Sequence, residues 1–299
     1  MNRRDLFRFS TATALAGALP VASIAAPANA LRPPADGQIA VAFLLSEGAV
    51  MIDFAGPWEV FSNVAIVGRD VETAFKLYTV AETREPIKAS GGMTIIPDYT
   101  FATAPAPHVV VIPAQAPPTE AALAWVRHAT HTADLTMSVC TGAFLLAKTG
   151  LLAGRSATTH HGAYSQFAME FPDVVLKRGA RFVETGKLAS SGGLSSGIDL
   201  AIRVVERYFG RAVALNTADI LEYQGQGWLN PQSNQAYAKR RTSSEQHPLC
   251  PVCDMAADKA TASSSVYLKK SYYFCMEAHK KIFDAQPAQF LAASSRART

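Results

Sequence analysis

Two groups of residues in this sequence could do chemistry. The first centres on Cys140 in TMSVCTGAFLLAKTGLLAG (136–154), where an apolar run turns into a helical pattern. The second lies in the tail, where Cys250 and Cys253 are two residues apart and Cys275 and His279 follow after a further 21 residues. These are the chain's four cysteines. A cysteine such as Cys140 is open to four uses: half of a crosslink, a metal ligand, core packing or a nucleophile. The end of a central strand, just before a helix, is the crevice where open α/β sheets bind ligands. The helix start offers unpaired N–H groups and a partial positive charge, both of which favour thiolate, so a depressed Cys140 pKa is expected. Gly142 permits a tight turn there, and the whole resembles a nucleophile elbow with Cys in place of Ser. From position alone, a small buried cysteine packing the sheet fits equally well.

In the tail, Cys275 and His279 are i and i+4, so a helix over both would put them on one face. Two thiolates from a turn, with a thiolate and an imidazole from that helix, could close a tetrahedral site. The competing arrangement is a Cys250–Cys253 disulfide with Cys275 in the core. Three sulfurs and one nitrogen suit Zn²⁺, and thiolate-rich sites also suit Cu(I). Tyr272, Tyr273 and Phe274 read as the small core of this unit, which is marginal without a staple that a metal would provide. With His279 as local partner for the other three cysteines, Cys140 is left as a lone thiol.

The elements that must position these residues follow from periodicity. Strands are expected at 38–45, 75–82, 108–114, 135–140 and 187–193, and helices at 53–68, 119–133, 141–154 and 195–210. Continuous apolar strands separated by helices predict a mostly parallel sheet covered on both faces, an α/β fold. The alternation stops near residue 230, and 231–247 reads as a linker or extended strap before a second unit at 248–292. At the start, Arg3 and Arg4, an apolar stretch from Thr11 to Ala26 and a small-residue site ending at Ala30 read as a twin-arginine export signal over 1–30. That predicts a periplasmic protein. The whole chain carries net +4 and the chain beyond the signal about +2, which gives no broad basic face for nucleic acid. No later apolar run reaches eighteen residues, so no stable membrane insertion is expected.

Four motifs, FLLSEGAVMIDFAGPWEVF, SVCTGAFLLAKTGLLAGRSATTHH, SSGGLSSGIDLAIRVVERYFG and LEYQGQGWLNP, resemble the ThiJ/PfpI superfamily over about 38–230. That resemblance implies a class I glutamine amidotransferase-like, flavodoxin-type fold and a homodimer. The DFAGPWEVF and CTGAFLLAKTGLLAGRSATTH forms look most like the branch of isonitrile hydratases and of the sensor domains of AraC-type regulators. No helix-turn-helix pair follows in this sequence. Within the resemblance, Cys140 matches the nucleophile for a small-molecule substrate, Asp53 its acidic partner, and Thr141 a position that contributes a hydroxyl or N–H. His160 matches a histidine found near the nucleophile, and His161 stands where tryptophan is usual. Asp53 also reads as the N-cap of the helix it begins, a role that can coexist with the first. Glu47 and Glu59 are weaker candidates. The family's two glycines after the HVVVIP strand, whose N–H groups can face an anion, are here Ala114 and Gln115. The tail resembles a YHS domain, which implies heavy-metal binding, Zn or Cu, by Cys250, Cys253, Cys275 and His279. It departs from that family at Asp254, which replaces a knuckle glycine, at His279, often Cys, and in lacking the hairpin glycine. A metal-handling or redox-sensing protein on a non-catalytic scaffold is the alternative to a hydratase or hydrolase.

Overall fold

The computed structural model describes residues 30–34, 38–66, 74–238, 243–288 and 290–291. Apart from Ala30, the expected export signal lies outside the described residues. Seven strands form one sheet: β1 (Ile39–Leu44), β2 (Phe75–Ala81), β3 (Tyr99–Thr100), β4 (Val109–Ile112), β5 (Leu135–Ser138), β6 (Phe182–Thr185) and β7 (Leu188–Ser191). Their order is β6-β7-β5-β4-β1-β2-β3. Every pairing is parallel except the β6–β7 hairpin at one edge. All four residues of β4 and all four of β5 are buried, which is why these strands read as unbroken runs rather than as alternation.

Helices cover both faces. α1 (Met51–Ser62), α5 (Ser196–Phe209) and α6 (Arg211–Ile220) lie on one, where Phe54, Val60, Phe61, Leu200 and Val204 meet Val41, Phe43 and Val111. α2 (Glu120–Thr132), α3 (Gly142–Lys148) and α4 (Tyr164–Glu170) lie on the other, where Trp125, Val126, Leu146 and Phe167 meet Leu44, Val110 and Ile112. The expected mainly parallel α/β sandwich is therefore present. The edge strand β6 and α6 are additions that the apolar pattern did not reveal.

The stretch read as a linker or strap is laid on this sandwich as far as Ala238. Buried Asp199 holds the segment just before that stretch, accepting from Arg181 Nε at 2.6 Å, Tyr223 Oη at 3.0 Å and the Trp228 N–H at 2.8 Å. Arg181 N donates to Pro231 O at 2.7 Å, and Tyr237 stacks on His161 with centroids 4.6 Å apart.

The tail is a hairpin, β8 (Ser263–Tyr267) with β9 (Lys270–Phe274), followed by α7 (Glu277–Ala285). Its two-residue turn lacks glycine, and Leu268 (φ 49°) and Lys269 (φ 62°) take the left-handed conformation themselves, as such hairpins demand. Phe274, Phe283 and Val252 form its core, with Tyr272 packed on Phe283. Tyr273 instead sits under the Lys259 ammonium, 5.8 Å from its ring centre.

One contact sets the geometry of the site. Gly142 opens α3 directly against the end of β4, where a Cβ would lie 2.2 Å from Ile112 O and 2.8 Å from Pro113 O. Only glycine lets the helix start come this close. Gly142→Ala is expected to cost about 1–3 kcal/mol by overpacking against backbone that cannot yield, read as a lowered urea midpoint with an unchanged slope.

Candidate active site and metal centre

Cys140 sits between β5 and α3 with φ 58°, a left-handed backbone that a non-glycine residue adopts only under constraint. The constraint is visible. Cys140 N donates to Gly192 O at 3.0 Å, and Thr159 Oγ1 donates to Cys140 O at 2.9 Å. These bonds fix the turn and aim the thiol away from its own helix, at the sheet's C-terminal edge. The N–H groups of Thr141 and Leu194 both point at the sulfur. Thr141 thus contributes its N–H; its side chain makes no cap bond to α3.

Asp53 is the group facing this thiol, and it is fully buried. It lies inside the first turn of α1, whose N-cap is Val50, so the capping role read from sequence is not the one it plays. Its Oδ2 accepts from the Ala114 N–H at 3.1 Å, while Oδ1 has no hydrogen-bond partner among the described residues. Burial pushes the carboxyl up to about 6, against the pull of the Ala114 N–H and the Cys140 thiol. The thiol itself is pushed up to about 12, first by burial and then by the Asp53 charge, with the Thr141 and Leu194 N–H groups opposing. This corrects the expected depressed Cys140 pKa. The helix start does favour thiolate, but desolvation and a carboxylate alongside outweigh it. The two acids behave as a pair holding one proton between them over a wide pH range.

His160 is close by. Its ring packs on Gly193, where a Cβ would lie 2.2 Å from His160 Cδ2, and its Nδ1 accepts from Gly162 N at 3.1 Å. It therefore braces the loop that presents the Leu194 N–H. Glu47 is exposed, its Oε2 accepting from Lys88 N at 3.1 Å, and Glu59 is exposed on the outer face of α1. Neither joins the site. Ala114 and Gln115 are not among the residues with positive φ, so alanine is not strained there. Sequence reasoning missed one polar group: both amide atoms of Gln115 are buried without a hydrogen-bond partner. Gln115 lines a cavity of about 280 Å³ together with Thr141, Gly142, Lys148 and Gln166. The signal was in the sequence, an amide side chain next to the nucleophile's strand in place of glycine.

The chain belongs to the DJ-1/PfpI family. The family's model matches residues 39–207, the whole sheet and the helices that carry Asp53 and Cys140. Isonitrile hydratase of Pseudomonas putida is 29% identical over 189 residues, covering 62% of this chain and 76% of that protein. The HTH-type transcriptional regulator GbdR of Pseudomonas aeruginosa is 23% identical, and the match covers 62% of this chain and only 50% of the regulator. Among solved structures, a ThiJ/PfpI family protein from Pseudomonas syringae superposes with a TM-score of 0.56 at 25% identity, over 64% of this chain and 77% of that one. The family's model ends at residue 207, before the tail.

Beyond the DJ-1/PfpI domain, Cys250, Cys253, Cys275 and His279 bring their ligand atoms within 4.8 Å of one another. All four cysteines are free, so the disulfide arrangement does not occur here. Cys253 Sγ is 3.4 Å from Cys275 Sγ, and His279 Nδ1 is 3.3 Å from Cys275 Sγ and 3.8 Å from Cys250 Sγ. Arms of ~2.3 Å to sulfur and ~2.0 Å to nitrogen around a tetrahedral ion imply edges of roughly 3.5–3.8 Å, so this donor set fits such an ion. The way it is assembled differs from expectation. Cys275 precedes α7, separated from it by the N-cap Met276, so the strand end and the helix start converge rather than one helix face presenting both.

Asp53 gives the DJ-1/PfpI site a stability signature. Its folded pKa of about 6 lies above the ordinary 3.8, so the folded state holds the proton longer and stability falls as pH rises between those values. Asp53→Asn removes that penalty, worth about 3 kcal/mol at most above pH 6. Its thermal midpoint is expected to exceed that of the wild type at pH 7.5 and to match it at pH 4, measured by calorimetry.

Proposed function

We propose that this protein hydrates isonitriles, with Cys140 as nucleophile and Asp53 as the proton carrier. The carrying observation is a buried thiol facing a buried carboxyl at a left-handed turn between strand and helix. As Cys140 Sγ bonds to the terminal carbon of R–N≡C, its proton passes through Asp53 to that carbon, giving a thioimidate, R–N=CH–S–Cys140. Water then adds to the same carbon, nitrogen takes one of its protons, and the C–S bond breaks. The thiol is restored with the other proton and R–NH–CHO leaves. The N–H groups of Thr141 and Leu194 stabilise the sulfur whenever it carries charge. The hydratase of P. putida, similar over this domain, supports the substrate class.

The tail supports a second part of the reading: a YHS-type unit that holds Zn or Cu through Cys250, Cys253, Cys275 and His279. When bound, the ion would supply a structural crosslink between the knuckle, the hairpin and α7. The arginine pair and the small-residue site at Ala30 support export to the periplasm. An apolar groove of about 460 Å³ on α1 and α5, lined by Met51, Ile52, Ala55, Val60, Ile198 and Leu221, supports a second copy of the chain as partner. The other reading, a metal-handling or redox-sensing protein on a non-catalytic scaffold, draws on the same four-ligand cluster.

One experiment separates the two. Purified protein is supplied with alkyl isonitriles, and formamide is followed beside elemental analysis. The expected result is formamide from wild type and none from Cys140→Ala, with one metal per chain that Cys250→Ser loses. Bound metal without any formamide would favour the second reading.

A further inference from the structure

The knuckle of the tail does not hang free of the DJ-1/PfpI domain. Asp254, next to Cys253, accepts a short hydrogen bond from the Ser165 hydroxyl on α4, and Arg178 Nη2 donates to the same hydroxyl at 3.3 Å. Met255 lays its sulfur on Gly162, 3.1 Å from where a Cβ would be. Met169, also on α4, packs into the tail's core. Gly162 donates its N–H to His160, and the His160 ring presses on Gly193, the residue before the Leu194 N–H that faces Cys140. A continuous line of contacts thus runs from the metal ligands to the nucleophile.

Asp254 is informative for a second reason. Its φ is 60°, a conformation that glycine would take without cost. A carboxylate at this position gains nothing for the knuckle's own turn beyond what glycine offers. What it adds is the bond to Ser165, 89 residues away in the chain.

We infer that Asp254 and Met255 are positioning residues of the Cys140 site, and that an ion at Cys250, Cys253, Cys275 and His279 sets how firmly the His160 and Leu194 loops are held against the thiol. The metal-binding tail is the outer wall of the site. Without an ion, nothing covalent ties Cys250 and Cys253 to Cys275 and His279, and the knuckle that carries Asp254 and Met255 loses its fixed shape. The loops at 158–163 and 192–195 then open more often, and Cys140 with them. This rests on the reading of the cluster as a metal site, but not on the isonitrile reaction.

The test uses the full chain in three states: wild type loaded with Zn²⁺, wild type stripped by a chelator, and Zn²⁺-loaded Asp254→Gly. The glycine suits the turn and keeps all four ligands, so the variant separates docking from folding of the tail. Hydrogen exchange is read by mass spectrometry, with peptide-resolved alkylation of Cys140 in parallel. Exchange across 158–165 and 192–196 is expected to be about tenfold faster or more in the stripped protein and in Asp254→Gly, with β1 unchanged. Cys140 alkylation is expected to rise about threefold or more in both. Equal exchange and alkylation in all three states would overturn the inference, as would a change on stripping that Asp254→Gly does not reproduce. Elemental analysis of the same samples reads the metal assignment separately: no bound zinc would fail that assignment, while the Asp254→Gly arm still tests the docking.

Discussion

Two acids with room for one proton are the constraint on which this structure turns. Asp53 is fully buried and Cys140 nearly so; burial raises the cost of ionising both, and the Asp53 charge raises it further for the thiol. Charge at the site is met by backbone N–H groups from three separate loops: Ala114, Thr141 and Leu194. Those loops are the ends of β4, β5 and β7, and the parallel order of the sheet is what gathers them on one edge. The glycine at 142 and the left-handed cysteine at 140 are the local adjustments that bring the third dimension of the site within range.

The same constraint explains what was legible in the sequence and what was not. Runs such as Val109–Ile112 announced buried parallel strands, because a strand covered on both faces has no polar side to hide it. Cys140 was visible because it stands at a strand–helix junction. Its pKa was not, because the carboxylate that opposes ionisation comes from α1 and the burial from packing, and neither has a local signature. The tail shows the same division. The order Cys, Cys, Cys, His pointed to four side chains that the structure does gather, yet Cys275 lies just past the end of a strand, since the helix begins only after Met276. The edge strand β6 went unread because Phe182–Thr185 is only partly buried and carries charge.

Departures from family pattern are the places where this chain does something of its own. Gln115 stands beside the nucleophile, Asp254 in the knuckle and Leu268–Lys269 in the hairpin turn, where the resemblances read from the sequence imply glycine. The structure gives the first a buried amide without a partner, the second a bond across to α4, and the third a turn strained by two left-handed residues. Of these, Asp254 links the two chemical centres, which the DJ-1/PfpI domain alone would not connect.

The most direct measurement is the pH dependence of Cys140 alkylation by iodoacetamide in the wild type and in Asp53→Asn. A proton kept on the thiol by burial and by the Asp53 charge predicts a wild-type rate that rises only well above the ordinary thiol value of 9, and a profile shifted to lower pH in the variant. Identical profiles in the two proteins, both rising only near the ordinary thiol value of 9, would contradict it.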